Sequence, residues 1–139
     1  MFADRAGMTR AMESTVEVVR CVIVDDNPSF LEAASKYLGH HSITVVGVAM
    51  NSAEALSQVA DLQPDVTVVD IDLGPESGFD VAELLASGPV TSPVILTSTH
   101  SEQAFAEMIA ASSALGFMPK AELSAEAIRH FLHDSADRQ

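Results

Sequence analysis

The chain has 139 residues, of which 47% are hydrophobic and 5% aromatic, with no Trp. This length and composition predict a single globular domain with an aliphatic core, and no run of apolar residues is long enough to span a membrane. The formal net charge of −13 argues against direct contact with nucleic acid or anionic lipid, because both are bound through Lys and Arg.

Five apolar runs alternate with helical patterns. Residues 1–18 are expected to form a polar leader, since they lack the apolar segment of a signal peptide. The strands are predicted at residues 20–24, 43–49, 66–70, 93–98 and 115–118. The helices are predicted from Pro28 to Gly39, from Asn51 to Leu62, from Phe79 to Gly88, over residues 101–112 and from Leu123 onwards. The domain is expected to cover residues 19–134, with 135–139 as a tail or the start of a linker.

The starts of the first two helices and the cysteine of the first strand carry local signals. Asn27 is a predicted N-cap before Pro28, and Phe30, Leu31, Ala34, Tyr37 and Leu38 repeat at helical spacing. Asn51 followed by Glu54 predicts a capping box at the second helix. Cys21 cannot form an internal disulfide and is expected to be a small buried residue in a reducing, cytoplasmic setting.

Strands that are almost wholly apolar, each followed by a helix, predict a parallel sheet covered on both faces. Right-handed crossovers then give an α/β doubly wound sandwich, for which the flavodoxin-like strand order 2-1-3-4-5 is the natural choice with five units. Ligands of such sheets bind outside the carboxyl ends of the strands.

Chemistry-bearing residues follow four of these strands. The set comprises Asp25, Asp26, Asp70, Thr97, Ser98 and Lys120. Three carboxylates at one edge repel one another, and a hard divalent cation such as Mg²⁺ removes that conflict. An ammonium and a hydroxyl beside the metal suit a phosphoryl group, so the set predicts a phosphate-handling site. Attack on phosphorus by the central carboxylate, Asp70, would give an acyl phosphate.

The segments "VIVDDNP", "VVDIDLGPESGFDV", "VILTST" and "GFMPK" resemble the receiver domain of bacterial two-component response regulators, over about residues 19–134. The resemblance implies that Asp70 accepts a phosphoryl group from a phosphohistidine on a sensor kinase. It implies that Asp26 ligates Mg²⁺ directly and Asp25 through water, with Asp70 and the backbone carbonyl of Asp72 as further ligands.

The resemblance also assigns roles around the phosphoryl group. Lys120, the Thr97 hydroxyl and the Ser98 amide are expected to bind its oxygens. Movement of Thr97 is expected to let Phe117 rotate and alter the surface of the fourth helix, fifth strand and fifth helix. Phe117 lacks the hydroxyl of the tyrosine often found there, and a plain core role for it stays open.

The side chains of Asp72 and Thr99, two positions beyond Asp70 and Thr97, are expected to tune hydrolysis of the acyl phosphate. For Asp72, an ordinary solvated loop acid is the alternative. Beyond its own phosphotransfer and slow autodephosphorylation, the domain is not expected to be an enzyme.

The implied partner is a sensor histidine kinase or a phosphotransfer protein, and a homodimer stays open. A DNA-binding output domain is the expected continuation if the natural chain is longer. Two other functions stay open. "DIDLG" also resembles the signature of haloacid-dehalogenase-like phosphatases, although their nucleophile lies on the first strand. A degenerate receiver used only as a protein-binding module is the other alternative.

Overall fold

The computed structural model describes residues 18–137, so the predicted leader lies outside the described residues except for Val18. The described strands are Val19–Val24 (β1), Ile43–Ala49 (β2), Val66–Asp70 (β3), Asp72–Leu73 (β4), Glu76–Ser77 (β5), Val94–Ser98 (β6) and Gly116–Pro119 (β7). The α-helices are Pro28–Gly39 (α1), Ser52–Leu62 (α2), Gly78–Ser87 (α3), Ala106–Ala111 (α4) and Ala125–Asp137 (α5). Short 3₁₀ helices span Glu102–Phe105 and Lys120–Glu122.

The main sheet has five parallel strands in the order β2-β1-β3-β6-β7. This confirms the predicted flavodoxin-like order. Successive strand residues point to opposite faces, so the sheet has a core on each side. One core contains Val22, Val69 and Leu96, and the other contains Cys21, Val68 and Ile95. Both faces are therefore covered, as the continuous apolar runs predicted.

The predicted helix caps are present. The Asn27 side chain accepts hydrogen bonds from the N–H groups of Ser29 and Phe30. The Asn51 side chain accepts from Glu54 N–H at 2.9 Å. The Glu54 carboxylate accepts a hydrogen bond from Met50 N–H, one residue before the cap, so the capping box closes one position earlier than the motif predicted.

Cys21 is buried, as expected, and burial raises the pKa of its thiol to about 12. Within the described residues, no helix is both long and apolar enough to cross a membrane.

Some local predictions differ from the structure. The fourth helix was predicted over residues 101–112, whereas a 3₁₀ turn precedes a short α4, because Ser101 makes no side-chain cap bond and the backbone at Phe105 leaves helical geometry. Tyr37 was placed on the apolar stripe of α1 but is 47% exposed, its ring lying 4.9 Å from that of His41. The last helix continues to Asp137, beyond the predicted boundary at residue 134.

The β4–β5 hairpin was not predicted. It is antiparallel and separate from the main sheet. Each of its strands has two residues, too few to give an alternating pattern in the sequence.

Candidate functional site

The carboxyl ends of the parallel strands bring the predicted acidic residues together. Asp25 directly follows β1 and Asp70 ends β3, next to Thr97 of β6 in the strand register. One carboxylate oxygen from each of Asp25, Asp26 and Asp70 lies within 4.8 Å of the others. Asp25 and Asp70 are buried and Asp26 is exposed, so the cluster opens to solvent on one side.

Lys120 joins this cluster from the end of β7. Its Nζ lies 2.7 Å from Oδ2 of Asp25 and 3.0 Å from Oδ2 of Asp70. The Lys120 side chain is only 14% exposed, so water screens these ion pairs weakly. Three carboxylates and one ammonium leave a formal excess of two negative charges at the site, which one divalent cation would neutralise.

Backbone N–H groups fix the direction of both buried carboxylates. Asn27 N–H donates to Oδ1 of Asp25 at 2.9 Å. Asp72 N–H donates to Oδ1 of Asp70 at 3.0 Å. Each carboxylate thus uses one oxygen for a backbone bond and turns the other toward Lys120. Because the backbone holds them, the two side chains are preorganised rather than free to rotate.

Burial and charge act in opposite directions on this cluster. Burial raises the pKa of the Asp70 carboxyl from 3.8 to about 6, against the hydrogen bonds from Asp72 N–H and Lys120 that favour its charged form. Burial alone would lower the pKa of Lys120, but its hydrogen bonds and charge interactions with Asp25 and Asp70 raise that pKa instead. At neutral pH the site therefore contains an ionised Asp70 carboxylate and a charged Lys120 ammonium.

Thr97 and Ser98 lie buried beside Asp70 at the end of β6. The Thr97 hydroxyl has no hydrogen-bond partner among the described residues, although its oxygen is buried. Buried hydroxyls are normally bonded, so this group fits a site that receives an additional ligand. The Ser98 hydroxyl instead accepts from His100 N–H at 3.0 Å, while the predicted role of Ser98 concerned its amide.

The loop after Asp70 depends on two glycines. Gly74 has φ of +66° in the turn between β4 and β5, a conformation that glycine adopts without strain. At Gly78 the backbone passes directly against the end of β3: a Cβ there would lie 2.7 Å from Cα of Ile71 and closer still to the Asp70 carbonyl oxygen. Both positions hold the loop around the acidic cluster.

Asp72 and Thr99 lie exposed at the mouth of the site. The Asp72 carboxylate is 3.6 Å from Nδ1 of His100, and both side chains are more than half exposed. No sequence pattern predicts this contact, because neither residue belongs to a regular repeat. Phe117 is buried in the core that contains Val69 and Leu96, and its switching stays a prediction.

One neighbour of the site was missed entirely. Phe30 was interpreted only as part of the apolar stripe of α1, yet its ring centroid lies 4.4 Å from Lys120 Nζ. The only signal in the sequence was that Phe30 lies in the first turn of α1, three residues after the cap Asn27.

Comparisons with known proteins agree with this geometry. A family model described as "Response regulator receiver domain" matches residues 21–132. The chain is 34% identical over 104 residues to the uncharacterized transcriptional regulatory protein YvfU of Bacillus subtilis, covering 74% of this chain and 52% of that protein. It is 32% identical over 117 residues to the probable transcriptional regulatory protein NarL of Mycobacterium tuberculosis, covering 84% and 54%.

A solved structure of the signal receiver domain of the putative response regulator NarL from Mycobacterium tuberculosis superposes with a TM-score of 0.70 at 30% identity. The match covers 88% of this chain and 96% of that one. The chain spans about half the length of the two relatives above, and what those longer proteins do as a whole is therefore not established for this chain.

Proposed function

The chain belongs to the response regulator receiver family, and we propose that it is a phosphorylatable signalling switch. In this proposal Asp70 accepts a phosphoryl group from a sensor histidine kinase or phosphotransfer protein. The observation that carries the proposal is the Lys120 ammonium, which contacts both Asp25 and Asp70 although the three residues lie at the ends of three different strands. An ion pair that only stabilised the fold would not explain why the buried Thr97 hydroxyl beside it has no hydrogen-bond partner among the described residues.

The residues present fit Mg²⁺ as the cofactor. Mg²⁺ is held in such sites by one or two carboxylates, waters and a phosphate oxygen. Asp25, Asp26 and Asp70 would supply the carboxylates, together with the backbone carbonyl of Asp72. When bound, the metal supplies positive charge that offsets the excess negative charge of the site and of an incoming phosphoryl group.

The phosphotransfer step follows from the held orientation of Asp70. Its Oδ2, the oxygen not bonded to Asp72 N–H, forms a bond to phosphorus. The bond between phosphorus and the donor's leaving group breaks, and the leaving group keeps that electron pair and takes up a proton. Lys120 and the Thr97 hydroxyl donate to the phosphoryl oxygens, with the Ser98 amide beside them. The Asp70 carboxyl must be ionised to attack, which its pKa of about 6 allows at neutral pH.

Phosphorylation would be read out through Thr97. Once its hydroxyl bonds a phosphoryl oxygen, the packing behind it changes, and Phe117 adjusts together with the surface of α4, β7 and α5. Coupling of this kind is typically worth about 1–3 kcal/mol. In the sheet register Phe117 pairs with Leu96 and Met118 pairs with Thr97, so the two proposed switch residues lie one position apart on adjacent strands.

The lifetime of the acyl phosphate would be set at the site mouth. In this proposal the exposed side chains of Asp72 and Thr99 influence an attacking water, and the chain would catalyse only its own phosphotransfer and slow autodephosphorylation. Both named relatives are described as transcriptional regulatory proteins, which favours a DNA-binding output in a longer natural chain. The acidic domain itself would make no direct contact with nucleic acid.

The test is incubation with acetyl phosphate and Mg²⁺, followed by intact mass measurement. We expect one phosphoryl adduct in the wild type and in Asp61→Asn, which alters an exposed acid on α2. Asp70→Asn should give none. Steady release of phosphate from simple monoesters would instead support a phosphatase. Absence of any adduct with every donor tried would leave a protein-binding module and refute the switch.

A further inference from the structure

Lys120 has a third partner in addition to its two carboxylates. The centroid of the Phe30 ring lies 4.4 Å from Lys120 Nζ, within the distance at which a cation is attracted to the negative face of an aromatic ring. The Lys120 side chain is 14% exposed. Little water therefore competes for the ammonium, and this attraction is stronger when the cation is desolvated.

The position of the Phe30 ring is fixed by the same loop that carries Asp25. Phe30 lies in the first turn of α1, and its N–H donates to the Asn27 side chain at 3.3 Å. The ring is half-buried and packs against the core beneath the sheet. Because Asn27 N–H also bonds Asp25, one capped turn presents both a carboxylate and an aromatic face to Lys120.

We propose that Phe30 is a positioning residue for Lys120 during phosphotransfer, acting through a cation–π contact; this role rests on the proposed function. Asp70 loses its free carboxylate when its oxygen bonds phosphorus. Asp25 is one of the carboxylates assigned to Mg²⁺ and is shared with the metal when it binds. Both ion pairs of Lys120 therefore weaken as the reaction proceeds. The neutral ring has no such competing partner, so it keeps the ammonium beside Asp70 while the negative charge moves to the phosphoryl oxygens.

The contact itself is tested without phosphorylation. Protons above an aromatic face experience an upfield ring-current shift in NMR spectra. We expect the ε-methylene resonances of Lys120 to lie upfield in the metal-free wild type and to return to ordinary lysine values in Phe30→Leu, which keeps an apolar side chain in the core. Identical Lys120 resonances in the two proteins would overturn the proposal.

The role in the reaction is tested by changing the ring electronically at nearly constant shape. Mono-, di- and trifluorinated phenylalanines are installed at position 30, since fluorine withdraws charge from the ring face. The rate of phosphorylation by acetyl phosphate should fall stepwise, by about two- to tenfold over the series. The same series at Phe131, which is also half-buried against this core, should leave the rate unchanged.

The outcomes separate the two proposals. A flat fluorine series in a protein that still phosphorylates on Asp70 would show that Phe30 only fills space, and would refute the positioning role alone. A wild type that never phosphorylates would refute the proposed function and the positioning role with it, whatever the NMR spectra show.

Discussion

Replacing Lys120 by methionine should destabilise the metal-free protein strongly. The change keeps an unbranched apolar stem but removes the terminal ammonium. Asp25 and Asp70, whose side chains are 1% and 6% exposed, would then be left without their ammonium. Removing one partner of a buried ion pair is costly because the remaining charge stays buried and uncompensated.

The magnitude follows from the two separations of 2.7 and 3.0 Å. With an effective dielectric constant of about 20, each ion pair at this distance is worth roughly 6 kcal/mol. The variant avoids the cost of burying the ammonium, and its carboxylates take up protons more readily, which offsets much of this. We therefore expect a loss of about 3–5 kcal/mol in the free energy of unfolding at neutral pH.

Urea denaturation in EDTA, followed by circular dichroism, measures this loss. The matched control is Lys36→Met: Lys36 pairs with Glu32 at 3.5 Å but is 74% exposed, and exposed ion pairs contribute little. Saturating Mg²⁺ should stabilise Lys120→Met more than the wild type, because the acidic cluster of the variant carries more uncompensated negative charge for the metal to neutralise. If Lys120→Met and Lys36→Met were equally stable in EDTA, the acidic cluster would not depend on Lys120 and the reasoning would fail.

Three further predictions concern the same fold. Gly78→Ala should cost about 1–3 kcal/mol in urea denaturation, since its Cβ would press on the backbone of Ile71, whereas Gly39→Ala, which meets open space, should not destabilise. Burial raises the folded-state pKa of Asp70 to about 6 from 3.8; the folded protein therefore binds that proton more readily than the unfolded chain. Metal-free stability should then rise as the pH is lowered from about 7.5 to about 5, and Asp70→Asn should reduce this rise. Cys21, buried and with its pKa raised to about 12, should react with a thiol reagent at mildly alkaline pH only when the protein unfolds; rapid labelling of the native protein would contradict this.

The topology was predictable because the strands of the main sheet are almost wholly apolar and each crossover carries a helical pattern. The caps at Asn27 and Asn51 were predictable because a cap depends on a few adjacent residues. The β4–β5 hairpin and the 3₁₀ start of the fourth helix were not, since both are set by tertiary packing over segments too short to show a period.

The residues of the candidate site were predictable for a related reason. In a parallel sheet, the residue after each strand must arrive at the same edge, so Asp25, Asp70 and Lys120 could be grouped from their order alone. The contacts of Phe30 with Lys120 and of His100 with Asp72 depend on rotamers, and no spacing in the chain specifies a rotamer. Strand order therefore specifies which groups meet but not how their side chains touch.

This difference bears on how the site works. Strand order brings the acidic side chains together with the ammonium of Lys120. Burial alone would drive Asp70 toward its neutral form. What keeps Asp70 ionised at neutral pH is fine geometry: the Asp72 N–H at 3.0 Å and the Lys120 ammonium at 3.0 Å. Because the pKa of Asp70 lies this close to neutral pH, its ionisation is sensitive to small displacements of Lys120. Side chains that contact Lys120, such as Phe30, are therefore where reactivity can be adjusted without altering the acidic residues themselves.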